Sequence, residues 1–88
     1  MYLHLGRDTL VPKHSVLCII DMDTGTLSRH TRAFLDTAQR EERVTVVAED
    51  LPKSAVVCLE DGVQNVYICQ VAASTLRKRW EENGLSNL

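Results

Sequence analysis

Asp21 and Asp23 stand two residues apart in Asp-Met-Asp-Thr-Gly-Thr, directly after an apolar run over residues 16–20, and this stretch comes nearest to catalytic spacing. Such a pair fits two chemistries. In phosphoryl transfer the first carboxylate attacks phosphorus and the second works as acid and base, with Mg²⁺ offsetting the charge. In peptide hydrolysis, Asp23 of Asp-Thr-Gly shares a proton with its twin on a second subunit, and like-charge repulsion splits the two pKa values while water is activated. The plain reading is a strand-to-helix turn whose carboxylates sit favourably near a helix N-terminus.

The surroundings favour the turn. Phosphatases of the haloacid-dehalogenase type follow the second Asp at once with Gly-Thr, whereas Thr24 intervenes here, and 88 residues are too few for their doubly wound sheet. Retroviral-type aspartic proteases match in chain size and in Asp-Thr-Gly. After Gly25, however, this chain turns directly into a helical pattern and offers no glycine-rich flap. An aspartyl hydrolase using Asp23 is therefore the remote alternative, and no catalytic residue is assigned. The phosphate cradles G-x-x-x-x-G-K and G-x-G-x-x-G are absent. Cys18, Cys58 and Cys69 lie in separate strand-like runs without C-x-x-C spacing, and read as small buried or half-buried apolar residues in a reducing compartment. His4, His14 and His30 are equally scattered, so neither a metal nor a cofactor is expected.

Three basic features remain: Arg29, Arg32, Arg40 and Arg43 on one helical pattern, Lys13-His14 ahead of the apolar strand, and Arg77-Lys78-Arg79 on a second helical pattern. On a monomer each reads as an ordinary solvated face, with Asp36 at helical pairing distance from Arg32 and Arg40. Repetition around a symmetric assembly changes that reading, because phosphate contacts add across subunits. The net charge of −2 and pI near 5.8 provide no bulk basicity, so a nucleic-acid partner must be met by a local patch.

The elements that must carry these residues form one small domain. Chains of 88 residues hide only about two-thirds of their unfolded surface, so a well-filled or shared core is required. A hairpin start is read from Tyr2-Leu3-His4-Leu5, a turn at Gly6-Arg7-Asp8, and Thr9-Leu10-Val11 up to Pro12. The apolar run at 15–20 reads as a central strand, covered on both faces or on one face by a neighbouring subunit. Over 27–42, Leu27, Thr31, Phe34, Leu35 and Ala38 form one helical stripe, with Thr24, Thr26 and Ser28 as N-cap hydroxyls. Strands follow at 44–48 and 54–60, then an Asp61-Gly62 hairpin turn and a return strand over 63–71. A helix over 72–83 turns Leu76 and Trp80 inward and ends at Gly84. The expected fold is α+β, a small mainly antiparallel sheet with two helices, over residues 1–84 with a frayed tail at 85–88. Nothing approaches a membrane span or a signal-peptide layout, which predicts a cytoplasmic protein.

The opening Met1-Tyr2-Leu3-His4-Leu5-Gly6, the 16–20 strand, Ser54-Ala55-Val56-Val57, Asn65-Val66-Tyr67 and Ser74-Thr75-Leu76-Arg77-Lys78-Arg79 together resemble the bacterial extracellular-matrix regulatory family, RemA and RemB, with RemB the nearer. The resemblance covers nearly the whole chain and lies in the order of short motifs. It implies a non-enzymatic transcriptional regulator of matrix and biofilm genes. The RemA type assembles into rings whose repeated basic residues hold a bent duplex by its backbone, and DNA deformability then supplies selectivity. Lys13 and Lys53 fall at or near the family's basic positions; Arg29, Arg32, Arg77, Lys78 and Arg79 are further candidates on exposed faces. One departure stands out. RemA proteins carry an Arg-rich turn before the Ala-Val-Val strand, whereas here Glu49-Asp50-Leu51-Pro52-Lys53 leaves one cation. The expected partners are further copies of the chain, double-stranded DNA and a RemA-like paralogue, and a scaffold with little DNA affinity is the alternative.

Overall fold

The computed structural model describes residues 1–23 and 27–85. The N-cap hydroxyls expected at Thr24 and Thr26, the turn at Gly25 and the tail beyond residue 85 lie outside them. The fold is α+β. In order come β1 (Tyr2–Gly6), β2 (Thr9–Pro12), a 3-10 turn (Lys13–Ser15), β3 (Val16–Asp21), α1 (Arg29–Arg40), β4 (Val44–Val46), β5 (Ser54–Glu60), β6 (Val63–Cys69) and α2 (Ala73–Leu85).

Turn chemistry sets both hairpins. Asp61 and Gly62 take φ of 53° and 79°, the pair of left-handed values whose twist matches that of the flanking strands, and β5 returns antiparallel as β6. Gly6, at φ 129°, and Arg7, at φ 50°, reverse β1 into β2. At the start of α1 the Ser28 hydroxyl accepts the Thr31 backbone N–H at 3.1 Å, satisfying one of the helix's orphan donors.

The main sheet has the order β3-β5-β6-β4, and the β1-β2 hairpin forms a separate two-stranded sheet. Two apolar layers cover the main sheet. On one face Ala38, Phe34 and Leu35 of α1 pack on Ala55, Val57, Val66 and Ile68. On the other, Leu3, Leu5 and Val11 of the hairpin and Leu76 of α2 pack on Val56, Cys58 and Cys69. Alternate residues of β5 thus feed both layers, as the two-residue strand period requires.

Four expectations need correction. The apolar run at 15–20 is not central: β3 is an edge strand, and β5, buried from Ser54 to Cys58, holds the centre by pairing with both β3 and β6. Two apolar runs of similar length look alike in sequence, and only their partners distinguish them. β4 ends at Val46 and runs parallel to β6, because α1 serves as its crossover. α2 passes through Gly84 to Leu85 instead of stopping at the glycine. Cys18 is exposed, while Cys58 and Cys69 are buried, and all three are free thiols. Among the described residues, no helix is long and apolar enough to cross a membrane.

Candidate nucleic-acid interface

Lys13 sits in the 3-10 turn that leads into β3, and α2 crosses beside it. Its ammonium lies 4.8 Å from the centroid of the Trp80 ring, within cation–π range. The Trp80 indole N–H donates to the Lys13 carbonyl oxygen at 3.3 Å, so ring and lysine are held by two contacts. Trp80 was expected to face inward with Leu76. Leu76 is fully buried, but Trp80 remains 42% exposed, and one turn further along α2 its ring lies against Lys13 and the start of β3. The i, i+4 spacing gives a shared helix face and says nothing of where the covering sheet stops.

Arg77 lies further along the same side. It lines one shallow depression with Val16, Leu17, Ile19 and Trp80, and another with Ile19, Asp21, Ala73 and Ser74. Lys53 stands at the far end of β3. Its carbonyl accepts the Met22 N–H at 2.9 Å and its own N–H donates to the Cys69 carbonyl at 2.8 Å, which extends the ladder at that point. Lys13 and Arg77 therefore share the α2 side of β3, whereas Lys53 lies opposite Met22, a residue of the α1 layer, and by the two-residue strand period falls on the other face.

The other basic candidates are distributed differently. Arg79 donates to the His4 carbonyl at 3.2 Å, tying α2 to the hairpin, and Lys78 is exposed on the same helix. Arg29 and Arg32 are exposed on α1, which covers the opposite face of the sheet. Arg43, read from sequence as an edge of the basic face, is a structural residue: it donates to Glu41 at 2.8 Å and to the Gln64 carbonyl, fastening the α1–β4 junction to β6. Asp36 forms no ion pair with Arg32 or Arg40 among the described residues; Arg40 instead donates to the Thr37 hydroxyl at 3.3 Å. In the loop before β5, Glu49 is paired with Arg7.

Asp21 and Asp23 make a turn. The Asp23 backbone N–H donates to Asp21 Oδ1 at 2.8 Å, and both residues are exposed. Such a bond closes an Asx turn at the strand end, a local backbone role. Among the described residues, no group of three or more His, Cys, Asp and Glu side chains could hold a metal ion.

A polar cluster on the hairpin side of the sheet is structural. Tyr67 donates its hydroxyl to Glu60 Oε1 at 2.8 Å, and the Asn65 side-chain amide donates to the same oxygen at 3.0 Å. Burial first, then this bond and the charge of Glu60, push the Tyr67 phenol up to about 12. The phenol's ordinary value is near 10. The folded state therefore holds the proton more tightly, so the contribution is complete below pH ~10 and disappears as pH rises towards 12. Thermal melts between pH 9 and 12 are expected to fall more steeply for the wild type than for Tyr67→Phe; parallel curves would disprove the coupling.

The fold is a small α+β domain in which Lys13 and Arg77 stand with Trp80 on one side of β3. The chain is 34% identical over 79 residues, 90% of its length and 89% of the relative's, to Extracellular matrix regulatory protein B of Bacillus subtilis strain 168. It belongs to that extracellular matrix regulatory family, of the RemB type. No protein-family profile matches the chain.

Proposed function

We propose that this chain is a non-enzymatic regulator of extracellular-matrix and biofilm genes, which holds the DNA backbone as a homo-oligomer, with a ring as one form of that assembly. The relative's name supports the regulatory part. The observation that carries the DNA part is the placing of Lys13 and Arg77 together on the α2 side of β3. Affinity then comes from phosphates and selectivity from DNA shape.

A second reading is an oligomeric protein-interaction scaffold with little or no DNA binding, and a RemA-like paralogue is the partner it fits. The loop before β5 favours it: Glu49, Asp50, Leu51 and Pro52 are all exposed, and Leu51 is 77% exposed. Fluorescence anisotropy against duplex DNA over a salt series, with solution mass measured on the same sample, separates the two. Under the first reading a large oligomer binds tightly, and log affinity falls with log salt by about 0.9 for each phosphate neutralised. A large oligomer indifferent to DNA at low salt overturns it in favour of the scaffold.

A further inference from the structure

We infer that Trp80 is a positioning residue for the phosphate contact of Lys13: its ring holds the lysine ammonium in place before DNA arrives and keeps hold of it in the complex. The inference rests on the DNA-backbone reading proposed above and deepens it by naming what presets one of its contacts.

Lysine meets phosphate as a point charge on a flexible four-carbon stem, and ordering that stem on binding costs affinity. In this fold most of Lys13 is ordered beforehand. Its backbone N–H donates to the Met1 carbonyl at 2.9 Å. Its carbonyl accepts both the Val16 N–H and the Trp80 indole N–H, the latter at 3.3 Å. The Ser15 hydroxyl donates to the Pro12 carbonyl at 2.7 Å and so braces the same turn. Lys13 is half-buried, and its ammonium lies 4.8 Å from the Trp80 ring centroid. One indole therefore grips both ends of the residue, the carbonyl by its N–H and the ammonium by its ring.

That grip leaves the charge usable. An ammonium carries three N–H donors, and a ring on one side of it leaves the other side to a phosphate oxygen. A carboxylate in the ring's place would cancel the charge that a phosphate needs, whereas a ring quadrupole does not. Arg77 shares a depression with Trp80, which sets a second cation beside the fixed one. Lys53 and Lys78 are exposed, and among the described residues Lys13 alone has its ammonium over a ring.

Anisotropy of duplex DNA over a salt series tests this on the full chain. Trp80→Leu keeps apolar bulk and removes the ring and the indole N–H. It should weaken binding about two- to tenfold for each copy in contact with DNA, the loss expected when one long side chain must be ordered on binding. The salt slope should stay as in the wild type, while Lys13→Ala should lower it by about 0.9 per copy. Trp80→Phe, which restores a ring, should recover at least half of the loss on a logarithmic scale. In a Lys13→Ala background Trp80→Leu should cost nothing more. The wild type gives a further readout by NMR after ¹³C labelling of its lysines, Lys13, Lys53 and Lys78. The ring should shift the Lys13 ε-methylene signal upfield of the other two, and the shift should persist with duplex bound. A signal that moves to the position of the others on binding means that the ring lets go, and overturns the inference even if Trp80→Leu does not fold. Equal losses from Trp80→Leu with and without Lys13 would make Trp80 a DNA contact in its own right and overturn it too. Binding that Lys13→Ala weakens and Trp80→Leu leaves intact overturns the positioning alone, whereas a wild type indifferent to duplex at low salt overturns it together with the DNA-backbone reading.

Discussion

Replacing Arg77 by alanine is expected to weaken duplex binding alike for all sequences and to lower the salt slope by about one for each copy of the chain in contact with DNA. Arg77 is the cleanest position for this measurement. It lies beside Val16, Ile19 and Asp21 on the α2 side of β3 and is exposed, so its loss removes a cation without opening the core. Lys13→Ala is less simple, because it also removes the ammonium above Trp80, a contact worth about 0.5–1 kcal/mol at an exposed site. Its binding data must accompany a stability measurement. Arg29→Ala with Arg32→Ala is the control across the sheet: one duplex laid on the α2 side does not meet α1, and the salt slope should stay as in the wild type. Anisotropy titrations at four or more salt concentrations read all three variants. A slope unchanged by Arg77→Ala but lowered by the α1 pair would move the interface to the opposite face.

Leu76→Ala is expected to cost about 2–5 kcal/mol, the range for truncating a fully buried leucine. Leu76 is completely buried where three elements meet: Leu3, Leu5 and Val11 of the hairpin, Val56, Cys58 and Cys69 of the sheet, and α2 itself. Small domains hold only about 5–15 kcal/mol in total, so the loss is a large share and the variant should be largely unfolded in moderate urea. Leu10→Ala, at a site 57% exposed, should stay within about 0.5 kcal/mol of the wild type. Urea unfolding followed by circular dichroism measures both. Equal midpoints for the two variants would mean that the hairpin and α2 do not share a core with the sheet.

Much of the fold was legible wherever a local rule decides the structure. Asp61-Gly62 marks a hairpin because few other pairs reach two successive left-handed conformations, and Ser28 marks the start of α1 because its hydroxyl fits an orphan N–H. The stripe through Phe34, Leu35 and Ala38 marks the buried side of α1 by the helical period alone. The resemblance to the RemB type was also carried by order of motifs, and the 34% identity over 90% of the chain agrees with it.

The remainder depended on which elements meet. Val16–Asp21 and Ser54–Glu60 are both apolar runs, yet one is the edge and the other the centre, because a strand's place is set by how many partners it finds. Arg43 joined the basic stripe by spacing, but the passage of β6 nearby turned it into a structural donor. The site shows the same division. Residue types alone named Lys13, Lys53, Arg29, Arg32, Arg77, Lys78 and Arg79 as cations of one rank. The crossing of α2 over β3 set Lys13 and Arg77 on one side, with Trp80 held against Lys13 by its ring and its indole N–H, and the sheet itself separated them from Arg29 and Arg32. Sequence determines the chemistry of each side chain and the period of each element, since both are local. Which cations share a face is a matter of long-range packing, and no local period encodes it.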